Sequence, residues 1–103
     1  MSRDEVLIRI KQAVTAVEPG AEVILYGSRA RNTENENSDW DILVLTGHPD
    51  RETRSAIRRG LYEIEWQSGE VISTSIRGRD EWSGPHARLT QYHRNIEREG
   101  IRL

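Results

Sequence analysis

The chain has 103 residues, 35% of them apolar and 31% charged, so it can bury one small core and no second domain. Its formal net charge of -2 lacks the basic character of general nucleic-acid-binding domains, and the absence of Cys excludes disulfides, thiol catalysis and Cys-based metal sites. No apolar run reaches membrane-span length and no signal-peptide pattern is present, so we expect a cytoplasmic protein without a membrane segment.

The first third of the chain predicts a helix followed by a strand. Apolar residues recur at helical spacing over residues 3–17, and Ser2 or Asp4 can cap the start of this helix. Pro19–Gly20 ends the pattern. The run Val23–Tyr26 is short, apolar and partly β-branched, which indicates a buried strand.

The next segment predicts a loop and a second strand. Arg29–Ser38 is polar throughout and is typical of a loop, with one short helical turn around Ala30. Asp39–Thr46 predicts a strand. Its centre, Ile42 through Leu45, is a continuous apolar run of the kind found in strands buried on both faces.

The second half of the chain predicts two helices and one strand. Asp50 can cap a helix that ends near Gly69, although the alternating stretch Tyr62–Trp66 could instead be a strand in a hairpin. Glu70–Ile76 predicts a third strand, and Arg77–Pro85 a loop. His86–Glu99 predicts the last helix, with Gly100 after it. We therefore expect residues 1–103 to form a single domain of α+β class, an α/β sandwich with a small mixed β-sheet flanked by helices.

A glycine–serine turn and a pair of carboxylates carry the chemistry of the sequence. Asp39 and Asp41 are two residues apart on a predicted strand, so both carboxylates leave one face of the sheet, about 7 Å apart. Two such charges are costly unless a hard cation, which prefers carboxylate oxygen, lies between them. Gly27 lets the backbone turn sharply and lets a phosphate approach, and Ser28 adds a hydroxyl and an N–H.

The stretch from Gly27 to Leu45 reads GSRARNTENENSDWDILVL. It resembles the signature of the minimal nucleotidyltransferases of the DNA polymerase β superfamily, a Gly-Ser turn followed after roughly a dozen residues by Asp-x-Asp and an apolar strand. The family's usual turn is Gly-Ser-Arg-Ala-Arg-Gly. Asn32 stands in place of the final Gly, and Asn also accepts left-handed backbone angles.

The resemblance implies a function and a set of site residues. Asp39 and Asp41 would hold two Mg²⁺ ions, and the turn residues Gly27, Ser28, Arg29 and Arg31 would bind the phosphates of ATP. AMP would pass from ATP to a hydroxyl acceptor. That acceptor would be supplied by a helical HEPN-type partner in a toxin–antitoxin pair, or by a homo-oligomer of this chain.

One position departs from the family pattern. The family carries a third carboxylate on a later strand, but the corresponding strand here reads GEVISTSI, with Ser73 at its centre. Glu70 is the nearest carboxylate on that strand, and Glu63 and Glu65 are outside candidates if their segment is extended. Either Glu70 completes the catalytic set, or the chain is a weakened nucleotide- or partner-binding module on the same fold. A third alternative is a structural domain with a fortuitous motif.

Overall fold

A computed structural model describes residues 1–35 and 37–103. The helices are α1 (Arg3–Val17), α2 (Ser28–Arg31), α3 (Arg51–Ser68), α4 (Arg79–Ser83), α5 (Pro85–Arg88) and α6 (Gln91–Glu99). The strands are β1 (Glu22–Tyr26), β2 (Trp40–Thr46), β3 (Ile72–Gly78) and β4 (Ile101–Arg102). Residue 36 belongs to the predicted loop Arg29–Ser38 and lies outside the described residues.

The strands form one mixed sheet in the order β3-β2-β1-β4. β1 is antiparallel to both β2 and β4, and β2 is parallel to β3. A parallel pair needs a crossover connection, which α3 supplies. The prediction of an α+β fold with a small mixed sheet flanked by helices is confirmed.

The sheet is covered on both faces. On one face, α1 and α3 pack over alternate residues of β2, namely Trp40, Ile42 and Val44. On the other face, Leu43 and Leu45 pack with Trp82 of α4 and Ile96 of α6. β2 is therefore buried on both sides, as its continuous apolar run predicts. Since side chains alternate along a strand, Trp40 faces α1 and α3 while Asp41 faces the opposite side.

The predicted caps of α1 and α3 are confirmed. Ser2, rather than Asp4, accepts a hydrogen bond from the Glu5 N–H, and Asp50 accepts one from the Thr53 N–H. α3 continues through Tyr62–Trp66, so the hairpin alternative is wrong: Leu61 and Ile64 are buried at helical spacing. None of the helices in the described part of the chain is long and apolar enough to cross a membrane.

Several predicted boundaries shift. β2 starts at Trp40, so Asp39 lies just before the strand, and β3 spans Ile72–Gly78 rather than Glu70–Ile76. The predicted loop Arg77–Pro85 contains α4, whose Trp82 is buried in the core.

The C-terminal segment departs furthest from the prediction. The predicted helix His86–Glu99 is broken into α5 and α6, because the Thr90 side chain accepts from the His93 N–H and caps a new helix. Leu89 before the break is 72% exposed, so it is not on the buried face that its helical spacing predicts. β4 was not predicted; it is a two-residue strand after Gly100 that pairs with β1.

Candidate active site

The turn between β1 and α2 lies directly against Asp41. Gly27 has φ 74° and ψ -158°, a backbone region that is essentially restricted to glycine. A Cβ added to Gly27 would stand 3.0 Å from the carboxyl carbon of Asp41 and closer still to its Oδ2. The turn therefore needs glycine for its backbone angles and for the space that the Asp41 carboxylate occupies.

Ser28 begins α2 immediately after this glycine. The first N–H groups of a helix have no partner in its own hydrogen-bond ladder, and this holds for those of Ser28 and Arg29 in α2. The first bonds of α2 run from the Ala30 and Arg31 N–H groups to the Gly27 carbonyl. Asn32 ends the helix at φ 59° and ψ 34°, the left-handed conformation expected where the family has Gly.

The two motif carboxylates influence each other. The pKa of Asp41 is raised above its ordinary value of 3.8, first by burial and then by the charge of Asp39, while the Arg31 charge acts in the opposite direction. Asp39 is exposed just before β2. The two carboxylates are therefore near enough to repel, which is the arrangement that a bound cation relieves.

Tyr26 lies on β1 directly opposite Asp41. It is not among the site residues that the sequence predicts. Its hydroxyl is 3.2 Å from that of Tyr92, and burial, followed by this hydrogen bond, raises the pKa of Tyr26. The hydroxyl is therefore protonated at neutral pH. A cavity of about 390 Å³ opens beside Tyr26 and is lined also by Ser75, Arg77 and Tyr92. Its volume lies in the range of small-ligand sites.

The expected position of a third carboxylate is occupied by serine. In the parallel pairing of β2 with β3, Asp41 is opposite Ser73 and Trp40 is opposite Ile72. Ser73 therefore shares the face of Asp41, and it is exposed. Within residues 1–35 and 37–103, no three or more His, Cys, Asp or Glu side chains are grouped so that they could hold a metal ion.

Glu70, the predicted third carboxylate, is engaged elsewhere. Its Oε2 accepts a hydrogen bond from Trp40 Nε1 at 3.2 Å and is 3.5 Å from Arg29 Nη2. Since Trp40 faces away from Asp41, the structure places Glu70 with the opposite face of β2 rather than with the two motif carboxylates.

The two outside candidates for the third carboxylate lie on α3. Glu63 and Glu65 were candidates only if their segment were extended, and it is helical. Glu65 accepts a hydrogen bond from the Ile72 N–H at 2.8 Å, and Glu63 is exposed. No local pattern in the sequence indicates this arrangement, because it depends on how α3 returns the chain to β3.

The two arginines of the turn have different environments. Arg29 is only 8% exposed, and its guanidinium donates to the Ser38 carbonyl and lies over the Trp40 ring. Its guanidinium is therefore engaged with Ser38 and Trp40 rather than with the turn at which we expect phosphate to bind. The Arg31 side chain is 47% exposed and pairs with Glu99 at 3.0 Å; this hydrogen bond lowers the pKa of Glu99.

The donor set fits a Mg²⁺ ion that is shared with a nucleotide. Mg²⁺ is commonly bound through one or two carboxylates together with substrate phosphates. Asp39 and Asp41 supply two carboxylates beside a turn whose N–H groups and Ser28 hydroxyl suit phosphate oxygens. The described residues thus match a metal–nucleotide site with a two-carboxylate protein component.

The raised pKa of Asp41 predicts a pH dependence of stability. Because the folded pKa lies above 3.8, the ionised Asp41 carboxylate costs stability, and this cost appears as the pH rises past that value. Without Mg²⁺, Asp41→Asn should therefore gain melting temperature over the wild type between about pH 4 and pH 7. Thermal unfolding of both proteins across this range measures the effect; an equal difference at both ends would contradict it.

Comparison with known proteins assigns the chain to a family. No curated protein matches the chain. A family model described as a nucleotidyltransferase domain matches residues 7–101, which include the Gly27–Ser28 turn, both motif carboxylates and β3. Since this match spans nearly all of the 103 residues and the geometry joins the turn to the carboxylates, the chain belongs to the nucleotidyltransferase domain family.

Proposed function

We propose that this chain transfers AMP from ATP to an acceptor hydroxyl, with Mg²⁺ held by Asp39 and Asp41 in a two-metal arrangement. The contact of the Asp41 carboxylate with Gly27 is the observation that carries the proposal. Phosphates bound by the Gly27–Ser28 turn would therefore lie next to a cation bound by the carboxylates.

The reaction transfers a nucleotidyl group by displacement at phosphorus. The acceptor oxygen forms a bond to the α-phosphorus, the bond from that phosphorus to the oxygen bridging to the β-phosphate breaks, and pyrophosphate leaves. Mg²⁺, when bound, neutralises charge on the phosphates and on the leaving pyrophosphate. Ser28 and the adjoining N–H groups would orient the phosphates. The acceptor proton would pass to water, since the face of Asp41 offers Ser73 rather than a third carboxylate.

A protein acceptor is the second part of the proposal. The resemblance to minimal nucleotidyltransferases supports a HEPN-type helical partner in a toxin–antitoxin pair, with a second copy of this chain as the other source of the hydroxyl. The cavity beside Tyr26 lies on the same face as Asp41, so it could receive either the nucleoside or the acceptor side chain.

Labelled ATP tests the transfer. The chain is incubated with ATP carrying the label in its α-phosphate, with Mg²⁺, and with or without the protein that the adjacent gene encodes. We expect label on the partner protein. Calorimetry with a non-hydrolysable ATP analogue and Mg²⁺ is the companion measurement. Absence of binding to the chain alone and to the complex would refute the proposal.

Binding without transfer would support the alternative, a catalytically weakened nucleotide- or partner-binding module. Ser73 at the position opposite Asp41 is the observation that favours it. This alternative predicts that the chain protects or binds its partner in the presence of nucleotide without modifying it.

Ser73→Asp should restore a third carboxylate and thereby separate the two alternatives. Without Mg²⁺ the variant should melt at a lower temperature, because a third like charge joins Asp39 and Asp41; Mg²⁺ should recover this loss. Transfer should rise at least about tenfold, below the ~10²–10⁴-fold of an evolved general base. Ser55→Asp is the control for an added charge, since Ser55 is exposed on α3, away from the sheet and from the cavity beside Tyr26. Equal effects of both variants would contradict the assignment.

A further inference from the structure

We propose that Arg29 is a positioning residue for Asp39: its guanidinium fixes the chain on both sides of that carboxylate and thereby sets the affinity of the site for a divalent cation. The inference rests on the proposed function. It gives Arg29 and Glu70 a shared role that differs from the phosphate-binding and metal-binding roles that the sequence predicts for them.

Arg29 contacts both neighbours of Asp39. Its Nε and Nη2 donate to the Ser38 carbonyl at 3.2 and 2.8 Å. Its Cζ lies 4.1 Å from the centroid of the Trp40 ring, within the range of a cation–π contact. Asp39 lies between these two residues, and it precedes the first residue of β2. Ser38 and Asp39 precede the hydrogen-bond ladder of the sheet, so the Arg29 side chain holds the backbone there.

The guanidinium is itself held firmly. Trp40 is 1% exposed and Arg29 8%, and a buried guanidinium is stable only when its charge and donors are satisfied. Glu70 supplies the counter-charge at 3.5 Å and also accepts from Trp40 Nε1. Arg3 donates to the Arg29 carbonyl at 2.9 Å. This group of side chains leaves the guanidinium few alternative positions.

The same side chain connects the two halves of the site. Arg29 is the second residue of α2, directly after Ser28, so its backbone belongs to the turn. Its guanidinium contacts the residues on either side of Asp39. Arg29 therefore connects the turn, where a nucleotide would bind, with the segment around Asp39, where a cation would bind. Side chains that hydrogen-bond a metal ligand typically change metal affinity about 10–100-fold when they are replaced, and we expect Arg29, which contacts the residues on either side of the ligand, at the lower end of that range.

Binding of Mn²⁺ to the protein in the presence of a non-hydrolysable ATP analogue tests the inference. Free Mn²⁺ is measured by electron paramagnetic resonance at one analogue concentration with and without the protein, so that Mn²⁺ bound by the analogue alone is subtracted and the result does not depend on turnover. We expect Arg29→Lys to weaken Mn²⁺ binding about tenfold, because Lys keeps the charge but has neither the planar fork nor the stacking surface.

Arg54→Lys is the matched control for a loss of structure. The Arg54 guanidinium also donates to the backbone, to the carbonyls of Pro49 at 2.9 Å and Ile76 at 2.6 Å, but these belong to the loop before α3 and to the distal half of β3. Both variants should lower the melting temperature. Only Arg29→Lys should lower Mn²⁺ affinity at a temperature where all the proteins are folded, a difference that a purely structural role would not produce.

Glu70→Gln distinguishes a role of Glu70 in holding Arg29 and Trp40 from a role as a direct metal ligand. Gln can still accept the hydrogen bond from Trp40 Nε1, so the loss of Mn²⁺ affinity should be smaller than that of Arg29→Lys. A metal-ligating Glu70 would instead lose as much as Asp41→Asn does. Should Arg29→Lys not fold, Trp40→Phe weakens the same group of contacts, since Phe offers the guanidinium a smaller and weaker aromatic face and cannot donate to Glu70.

The outcomes distinguish two kinds of failure. Wild-type protein that binds no Mn²⁺ with the analogue would overturn the proposed function and this inference with it. Wild-type binding that Arg29→Lys and Trp40→Phe leave unchanged would overturn the inference alone. Equal losses in Arg29→Lys and Arg54→Lys would also overturn it, because the effect would then be general destabilisation.

Discussion

Replacement of Asp41 by Asn is expected to reduce nucleotidyl transfer at least about 10³-fold in kcat/KM, since the metal's stabilisation of the transferring phosphates is worth several kcal/mol. Asn keeps the size of the side chain and removes the charge, so the contact with Gly27 can persist while the cation site is lost. Asp39→Asn should be comparably inactive. The label-transfer assay with the proposed acceptor protein measures both variants.

Asp50→Asn provides the control for these substitutions. Asp50 is an exposed Asp outside the site, and Asn serves equally well as the N-cap of α3. Its activity should match that of the wild type. Transfer that survives in both Asp39→Asn and Asp41→Asn would refute the assignment of the two carboxylates to Mg²⁺.

The Asp41 variant should also show that function has a cost in stability. Its loss of activity should coincide with a higher melting temperature without Mg²⁺ at neutral pH, because burial and Asp39 both disfavour the ionised carboxylate. A substitution that stabilises the protein while it removes activity identifies a residue retained for chemistry. Replacement of a residue required for folding would lower both the activity and the melting temperature.

The local parts of the site were predictable because their signals lie close together in the chain. The Gly27–Ser28 turn follows a short apolar strand, and Asp41 opens a continuous apolar run, so both positions follow from patterns of a few residues. The left-handed Asn32 likewise follows from residue type. These features fix which groups could meet at one end of the sheet.

The third carboxylate was beyond such patterns. Whether Glu70 or Ser73 lies opposite Asp41 depends on the register of β2 with β3, two strands separated by the whole of α3. The alternation of Ile72 and Ile76 with Ser73 and Ser75 indicates which face of β3 is buried, but a shift of two residues would keep both faces and change the residue opposite Asp41. The role of Arg29 was hidden for a similar reason, because its position after Ser28 suggested phosphate, whereas its side chain runs to Ser38 and Trp40.

Gly27→Ala should have the second large effect, a loss of both nucleotide affinity and stability. A side chain at φ 74° and ψ -158° costs about 1–3 kcal/mol of backbone strain. Its Cβ would also displace the Asp41 carboxylate, which lies against that position. Binding of the ATP analogue with Mg²⁺ should therefore fall at least about tenfold, since more than 1.4 kcal/mol of local rearrangement is required before the site can form.

Gly69→Ala distinguishes strain from the loss of the site. Gly69 also has a positive φ, 75°, at the end of α3, but a Cβ there would meet nothing within 4 Å. This variant should lose melting temperature and keep nucleotide affinity, whereas Gly27→Ala should lose both. Thermal unfolding and calorimetry on the two variants give the comparison. If Gly27→Ala binds the analogue as the wild type does, the contact between the turn and Asp41 is not what brings phosphate and metal together.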